Sequence, residues 1–352
     1  MSDLSFHARV APGGRPDGYR VDVVVPCYNE QDALPLTAPR MVAFFDSLVA
    51  DPANRASSYR ILLVNDGSTD ATWNVIAELA RVHPGIEGVK LSRNFGHQSA
   101  MLAGLSIADA DVIVTMDADL QDDIEAIREM VAAYEGGAHL ALGVRNDRRS
   151  DSMSKMGSAN AYYRLLSLLG IRIIENHADF RLMSRTALDA LLQYREVNLF
   201  LRGLIPTLGF PVTLVPYARR EREAGETKYT LRKMLRLAID GITSFSVMPL
   251  RAIAVTGALL FLGTMLAAAF FLWTYFAHSA QLVPGWASTV LPMLLLGGVQ
   301  LLSIGILGEY VGKIYLETKR RPRFIIQEAT DRELTLPPAR APVELSAARI
   351  LA

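Results

Sequence analysis

Asp117 and Asp119 stand one residue apart just after the apolar run 112–116. Two carboxylates in one crevice at the end of a buried strand repel each other unless a cation lies between them. Hard oxygen ligands suit Mg2+ or Mn2+, ions that commonly take one or two carboxylates and complete their shell with phosphate oxygens. A diphosphate-activated donor would supply those oxygens. A lone Asp-x-Asp is common by chance, so its weight comes from its surroundings. Three further polar, turn-prone clusters end earlier apolar runs: Pro26-Cys27-Tyr28-Asn29-Glu30, Asn65-Asp66-Gly67-Ser68-Thr69-Asp70 and Ser92-Arg93-Asn94-Phe95-Gly96. On its own, Asp66-Gly67-Ser68 with Asp70 is first of all turn and N-cap chemistry.

The elements that must position these clusters follow from hydrophobic period. Short β-branched runs at 21–27, 60–65, 88–91, 112–116 and 140–144 predict strands, and amphipathic stretches near 32–49, 70–82, 97–108 and 122–135 predict helices between them. Such alternation indicates βαβ units and a mostly parallel sheet covered on both faces. Ligands of such sheets bind at the carboxyl ends of the strands, where the four clusters fall.

The series of clusters, with Gln121 after Asp119 and with Ala178-Asp179-Phe180-Arg181 further on, resembles the family 2 glycosyltransferases of the nucleotide-sugar-binding type. Within them it looks like the polyprenyl-phosphate glycosyltransferases, and the resemblance covers roughly residues 20–325. It implies a Rossmann-like GT-A sheet and inverting transfer of one sugar from a nucleotide sugar to undecaprenyl or dolichyl phosphate. It also implies a UDP-sugar ahead of a GDP-sugar, Mg2+ or Mn2+, and a homo-oligomer such as a tetramer. By position in the motifs, Pro26, Tyr28, Glu30, Asp66 and Asp117 would hold the donor, and Asp117, Asp119 and Gln121 the metal and diphosphate. Arg145, Arg181 and Lys228 would meet the acceptor phosphate, and Asp179 and Asp119 would be catalytic, Asp179 as base or as orienter of the acceptor. The family's proline-rich stretch after Gln121 is here Asp122-Asp123-Ile124. Two other readings are a processive polysaccharide synthase, which would need a Gln-x-x-Arg-Trp segment, and a silent membrane adaptor, which would be marked by loss of Asp117, Asp119 or Arg181.

Composition assigns the rest of the chain. The 352 residues carry 36 Lys+Arg and 36 Asp+Glu, yet 252–308 contain none of these charges. Residues 1–140 hold 10 basic and 20 acidic side chains and residues 141–251 hold 18 and 10, an acidic half before a basic stretch. The runs 252–277 and 287–307 each match the roughly 20 apolar residues that a spanning helix requires. Basic residues flank their outer ends and are absent from the linking turn, which predicts a hairpin with both ends in the cytoplasm, in an inner membrane. Aromatic residues Trp273, Tyr275, Trp286 and Tyr310 stand near the expected interfaces, and Gln300 is either a helix–helix contact or a tolerated polar residue. The expected order is a flexible N-terminus 1–20, a catalytic domain 21–229, an amphipathic juxtamembrane helix 230–251, the two spanning helices within 252–308 and a cytoplasmic tail 309–352. Residues 162–171 and 230–245 read as basic interfacial helices. The N-terminus has no signal-peptide core. The single cysteine, Cys27, permits no intrachain disulfide and reads as a buried small side chain. His97 suits a phosphate contact or a helix cap, and His83, His139, His177 and His278 lack metal-ligand spacing.

Overall fold

A computed structural model describes residues 18–145, 177–194, 196, 201–218, 248–277 and 286–331. Residues 1–17, the two expected interfacial segments, Lys228 and His278 lie outside them. The first unit alternates strand and helix: β1 (Tyr19–Cys27), α1 (Leu34–Ala50), β2 (Ala56–Asn65), α2 (Thr72–Val82), β3 (Ile86–Leu91), α3 (His97–Ile107), β4 (Val112–Thr115), α4 (Ala126–Glu135) and β5 (Leu140–Arg145). It continues with β6 (His177–Ser184), α5 (Arg185–Leu191), α6 (Leu201–Leu204), a 3-10 turn (Ile205–Leu208) and β7 (Val212–Tyr217). A last strand, β8 (Ile326–Ala329), completes the described sheet in the order β7-β5-β6-β4-β1-β2-β3-β8.

The mostly parallel sheet expected from the alternation is present: β4, β1, β2 and β3 run parallel, as do β5 and β7. The strands are near-continuously apolar because both faces are covered. Val21, Val23 and Val25 enter one apolar layer with Phe45 and Ile76, while Val24, Leu62 and Val64 enter the other with Met101 and Leu105. Gly104 lets α3 approach the sheet, since a Cβ there would come within 2.3 Å of Val24 Cγ1.

Two strands run against the rest. β6 lies antiparallel between β4 and β5, with Thr115 opposite Arg181, so the beginning of β6 sits at the carboxyl end of β4. β8 pairs antiparallel with β3. The expected tail 309–352 therefore begins within a helix and goes on to supply a sheet strand.

The second unit holds two long helices, α7 (Met248–Ala277) and α8 (Trp286–Thr318). Within α8, Leu296–Thr318 is long and apolar enough to cross a membrane, and α7 carries a shorter apolar stretch, Leu250–Leu260. A groove of about 470 Å³ runs between the helices, lined by Ile253, Gly257 and Leu260 of α7 and by Leu296, Gln300 and Ser303 of α8 among others. Gln300 thus faces the neighbouring helix.

Candidate active site

The ends of β1 and β2 are laced together by side chains that cap one another's backbone. Asn29, at φ 56°, receives Thr69 N–H on its Oδ1 at 3.0 Å and donates its own N–H to Ser68 Oγ at 2.9 Å. Glu30 N–H donates to Thr72 Oγ1 at 2.8 Å, and Ala71 N–H to Gln31 Oε1 at 2.9 Å. The turn chemistry expected of Asp70 is present, since its Oδ1 accepts Thr72 N–H at 3.0 Å. Tyr28 is left 44% exposed beside this lacing, whereas Pro26 is buried inside β1.

Asp66 faces inward. It is 2% exposed, and its two oxygens accept Phe95 N–H at 2.8 Å and Gly96 N–H at 2.9 Å. Burial pushes its carboxyl up, against the pull of those two N–H groups. The residue clasps the loop after β3 to the end of β2. Gly67, at φ 60°, is required for that closeness, because a Cβ there would lie 2.2 Å from the Arg93 carbonyl carbon.

Asp117 and Asp119 sit in the turn after β4, partly accessible, with Ala118 and Leu120 buried between and after them. Leu120 holds φ at 48°, a left-handed conformation that costs a non-glycine residue about 1–3 kcal/mol and clusters at functional sites. Asp119 Oδ1 accepts the Gln121 N–H at 3.2 Å. The Asp117 carboxyl is pushed up, first by burial and then by Asp122, Asp179 and Asp119, with His97 opposing. Crowded hard oxygens of this kind fit a divalent cation. Among the described residues no three His, Cys, Asp or Glu side chains converge as a complete metal shell, so such an ion would take further ligands from donor and water.

Across from them, Asp179 is surrounded by donors. Its Oδ1 accepts Arg181 Nη2 at 2.6 Å and Arg202 Nε at 3.3 Å; its Oδ2 accepts Arg202 Nη2 at 2.9 Å and Gln98 Nε2 at 3.4 Å. His97 Nε2 lies 3.5 Å from Asp179 Oδ2 and 3.7 Å from Asp117 Oδ1, so it bridges the two acids. Burial alone would raise the Asp179 pKa, but His97, Arg181 and Arg202 outweigh it and hold the carboxyl far below the usual range. The pairing with Asp179 correspondingly raises the His97 pKa, against burial. Arg181 is fully buried, steadied by Thr115 Oγ1 at 3.2 Å, and its Nη1 has no hydrogen-bond partner among the described residues. Arg202 keeps its side chain 42% exposed.

A third group lies at the end of β5. Tyr217 donates its hydroxyl to Asp122 Oδ1 at 2.8 Å, and Arg145 Nε donates to that hydroxyl oxygen at 3.2 Å. Cys27 is buried with its thiol pKa pushed up by that burial, which leaves it an inert packing residue.

With this geometry in place the chain can be set beside known proteins. The family model described as glycosyl transferase family 2 matches residues 22–192. An uncharacterized glycosyltransferase of Bacillus subtilis is 44% identical over 307 residues, covering 86% of this chain and 90% of its own length. A prophage bactoprenol glucosyl transferase homolog of Escherichia coli is 37% identical, covering 88% and 98%. A bactoprenol glucosyl transferase of Shigella phage SfX is 38% identical, covering 88% and 99%. The chain belongs to glycosyl transferase family 2.

For this family 2 glycosyltransferase, the structure brings Asp117, Asp119, Asp179 and Arg181 together at the carboxyl end of β4, with Tyr28 at the end of β1 and Arg145 at the end of β5. It adds Arg202, which motif reading passed over. The available signal was a lone arginine inside the apolar run Leu199-Phe200-Leu201-Arg202-Gly203-Leu204. His97, expected as a phosphate contact or a helix cap, lies against Asp179, a link that depends on the antiparallel placement of β6. Asp122, which replaces the family's proline-rich loop, is used as the buried anchor of Tyr217.

Proposed function

We propose that this glycosyltransferase moves a single sugar from a nucleotide-sugar donor to a polyprenyl phosphate, with inversion, at the cytoplasmic face of a membrane that α7 and α8 enter. The observation that carries the proposal is one crevice with two opposed sides: the carboxylates Asp117 and Asp119 on one, and the cations Arg202, Arg181 and His97 gathered on Asp179 on the other. Relatives named for bactoprenol glucosyl transfer and the apolar stretch Leu296–Thr318 support a lipid acceptor.

The chemistry follows from charge. A lipid phosphate is an anion at neutral pH, its second pKa being about 6, so its oxygen attacks the anomeric carbon without first losing a proton to a base. The bond from that carbon to the diphosphate breaks, and the nucleoside diphosphate leaves with the electron pair. Asp117 and Asp119, beside Gln121, would hold Mg2+ or Mn2+, which would supply positive charge to the departing diphosphate. Asp179 already accepts from Arg181, Arg202 and Gln98 and is held ionised, so it serves as the anchor that aims Arg202 and not as a proton acceptor. Arg181 is sealed behind that anchor, and Arg202, aimed by Asp179 and with its side chain 42% exposed, takes the role of meeting phosphate oxygens. Arg145 and Lys228 remain proposed acceptor contacts, and Tyr28 a platform for the donor base.

The test is reconstitution. Purified full-length protein, polyprenyl phosphate, Mg2+ or Mn2+ and labelled UDP-glucose should yield a glycolipid and stoichiometric UDP, with other UDP-sugars and GDP-mannose as alternative donors. Hydrolysis to free sugar with no lipid product from any of these donors would overturn the proposal.

A further inference from the structure

The loop 92–97 is the most heavily used segment of the crevice, supplying two N–H groups to Asp66, the backbone that crowds Gly67, and His97. It begins where β3 ends, and β3 would be a sheet edge were it not covered by β8. An uncovered edge leaves a row of backbone N–H and C=O groups unpaired, and its end is free to fray.

The cover is fastened at both ends. Thr330 N–H donates to Gly88 C=O at 3.0 Å, and Gly88 N–H donates to Thr330 Oγ1 at 2.8 Å. At the other end Ser92 N–H donates to the Ile325 C=O at 2.9 Å. Ser92 is the first residue of the loop, and only Arg93 and Asn94 separate it from the Phe95 and Gly96 N–H groups held by Asp66. Phe324 and Ile326 pack against the same apolar layer as Phe95, and Arg323 Nη2 donates to the Tyr194 C=O at 3.0 Å. The loop is therefore pinned from two directions, by Asp66 on the sheet side and by the 322–330 segment at its start.

We infer that the segment after α8, through Phe324, Ile325 and Thr330, is a positioning element of the donor site: it sets where β3 stops and so where the 92–96 loop presents its backbone beside Asp66. The inference rests on the proposed donor site and on the expectation that Asp66, which clasps that loop, belongs to it. It acts through the loop and touches no substrate itself.

Full-length protein carrying Phe324→Ala with Ile326→Ala, and separately the milder Thr330→Val, tests it by two readouts. Hydrogen–deuterium exchange at residues 92–97 should quicken in both. The Kd for UDP-glucose, measured with Mn2+ and no acceptor, should rise about three- to tenfold while the KM for polyprenyl phosphate stays unchanged. Thr330→Ser, which keeps the hydroxyl, should restore both values. Unchanged exchange at 92–97, or faster exchange with unchanged UDP-glucose binding, would overturn the inference. So would an equal loss for donor and acceptor, the mark of general destabilisation. If the wild-type chain binds UDP-glucose yet makes no glycolipid, the acceptor assignment fails and this inference is judged on exchange and binding alone.

Discussion

The two ends of the parallel sheet are both built from aspartates and arginines, and they use them in opposite ways. At the amino ends of the strands, Asp22 is fully buried, with Oδ1 accepting Arg60 Nε at 3.0 Å and Oδ2 accepting Arg60 Nη2 at 2.7 Å and the N–H groups of Asp109 and Ala110 at 2.8 and 3.1 Å. Arg60 also reaches Glu87 at 3.1 Å and Asp109 at 2.7 Å, and Arg20 pairs with Asp109. Burial alone would lower the Arg60 pKa, but these acids raise it. Each of these charges has an opposite neighbour within the fold. At the carboxyl ends, negative charge is concentrated on Asp117 and its neighbours while the cations crowd around Asp179. A closed network stabilises a fold; a separated one stores a field for a ligand, and residue types alone do not distinguish them.

Breaking each end should therefore damage different quantities. The largest effect is expected for Asp119→Ala, a loss of about 10³-fold in kcat/KM, about 4 kcal/mol of transition-state stabilisation, with Tm nearly unchanged. Rates and thermal unfolding on the same preparation check it, and a parallel collapse of Tm would erase the contrast. Asp22→Ala reverses the pattern. Arg60 would keep Glu87 and Asp109, but the Asp109 and Ala110 N–H groups would lose their buried acceptor, which should cost about 1–3 kcal/mol in chemical denaturation, while the folded fraction keeps its turnover number.

Arg202→Ala sharpens the division inside the crevice: the acceptor KM should rise about tenfold with the donor KM little altered, and Arg202→Lys should recover only part, since lysine lacks the planar fork. An unchanged acceptor KM would remove Arg202 from the acceptor side. The smallest effect is a Tm shift with pH in chelator. The folded Asp117 carboxyl has its pKa above the unfolded value, so its ionisation opposes folding at neutral pH. Asp117→Asn should then raise Tm at pH 7, and the gain should fade as pH falls through the raised folded pKa toward the unfolded value of about 3.9. A gain that persists in acid would assign the effect to packing instead.

Much of this was legible in the sequence for a physical reason. The strands at 21–27, 60–65, 88–91, 112–116 and 140–144 all appear, because parallel strands buried on both faces are continuous apolar runs bounded by turns. The polar clusters at their ends were visible for the same reason. β6 was hidden, since Asp179 and Arg181 put two ionisable residues into a short strand, and such a segment reads as a motif and not as an element. β8 was hidden because Ile326–Ala329 holds few apolar residues and pairs only along an edge. Arg202 was hidden because its partner, Asp179, is 23 residues away and meets it only through the reversed direction of β6.

β8 also has a place in time. Gly88 and Thr330, which bond to each other, are 242 residues apart, with both long helices between them. At a synthesis rate of about 5–20 residues per second, β3 waits about 12–48 s on the ribosome before its covering strand exists. The loop 92–97 is thus the last part of the first unit to be fastened, after the apolar helices have left the exit tunnel, so a chain cut short anywhere before residue 322 yields a sheet with an open edge.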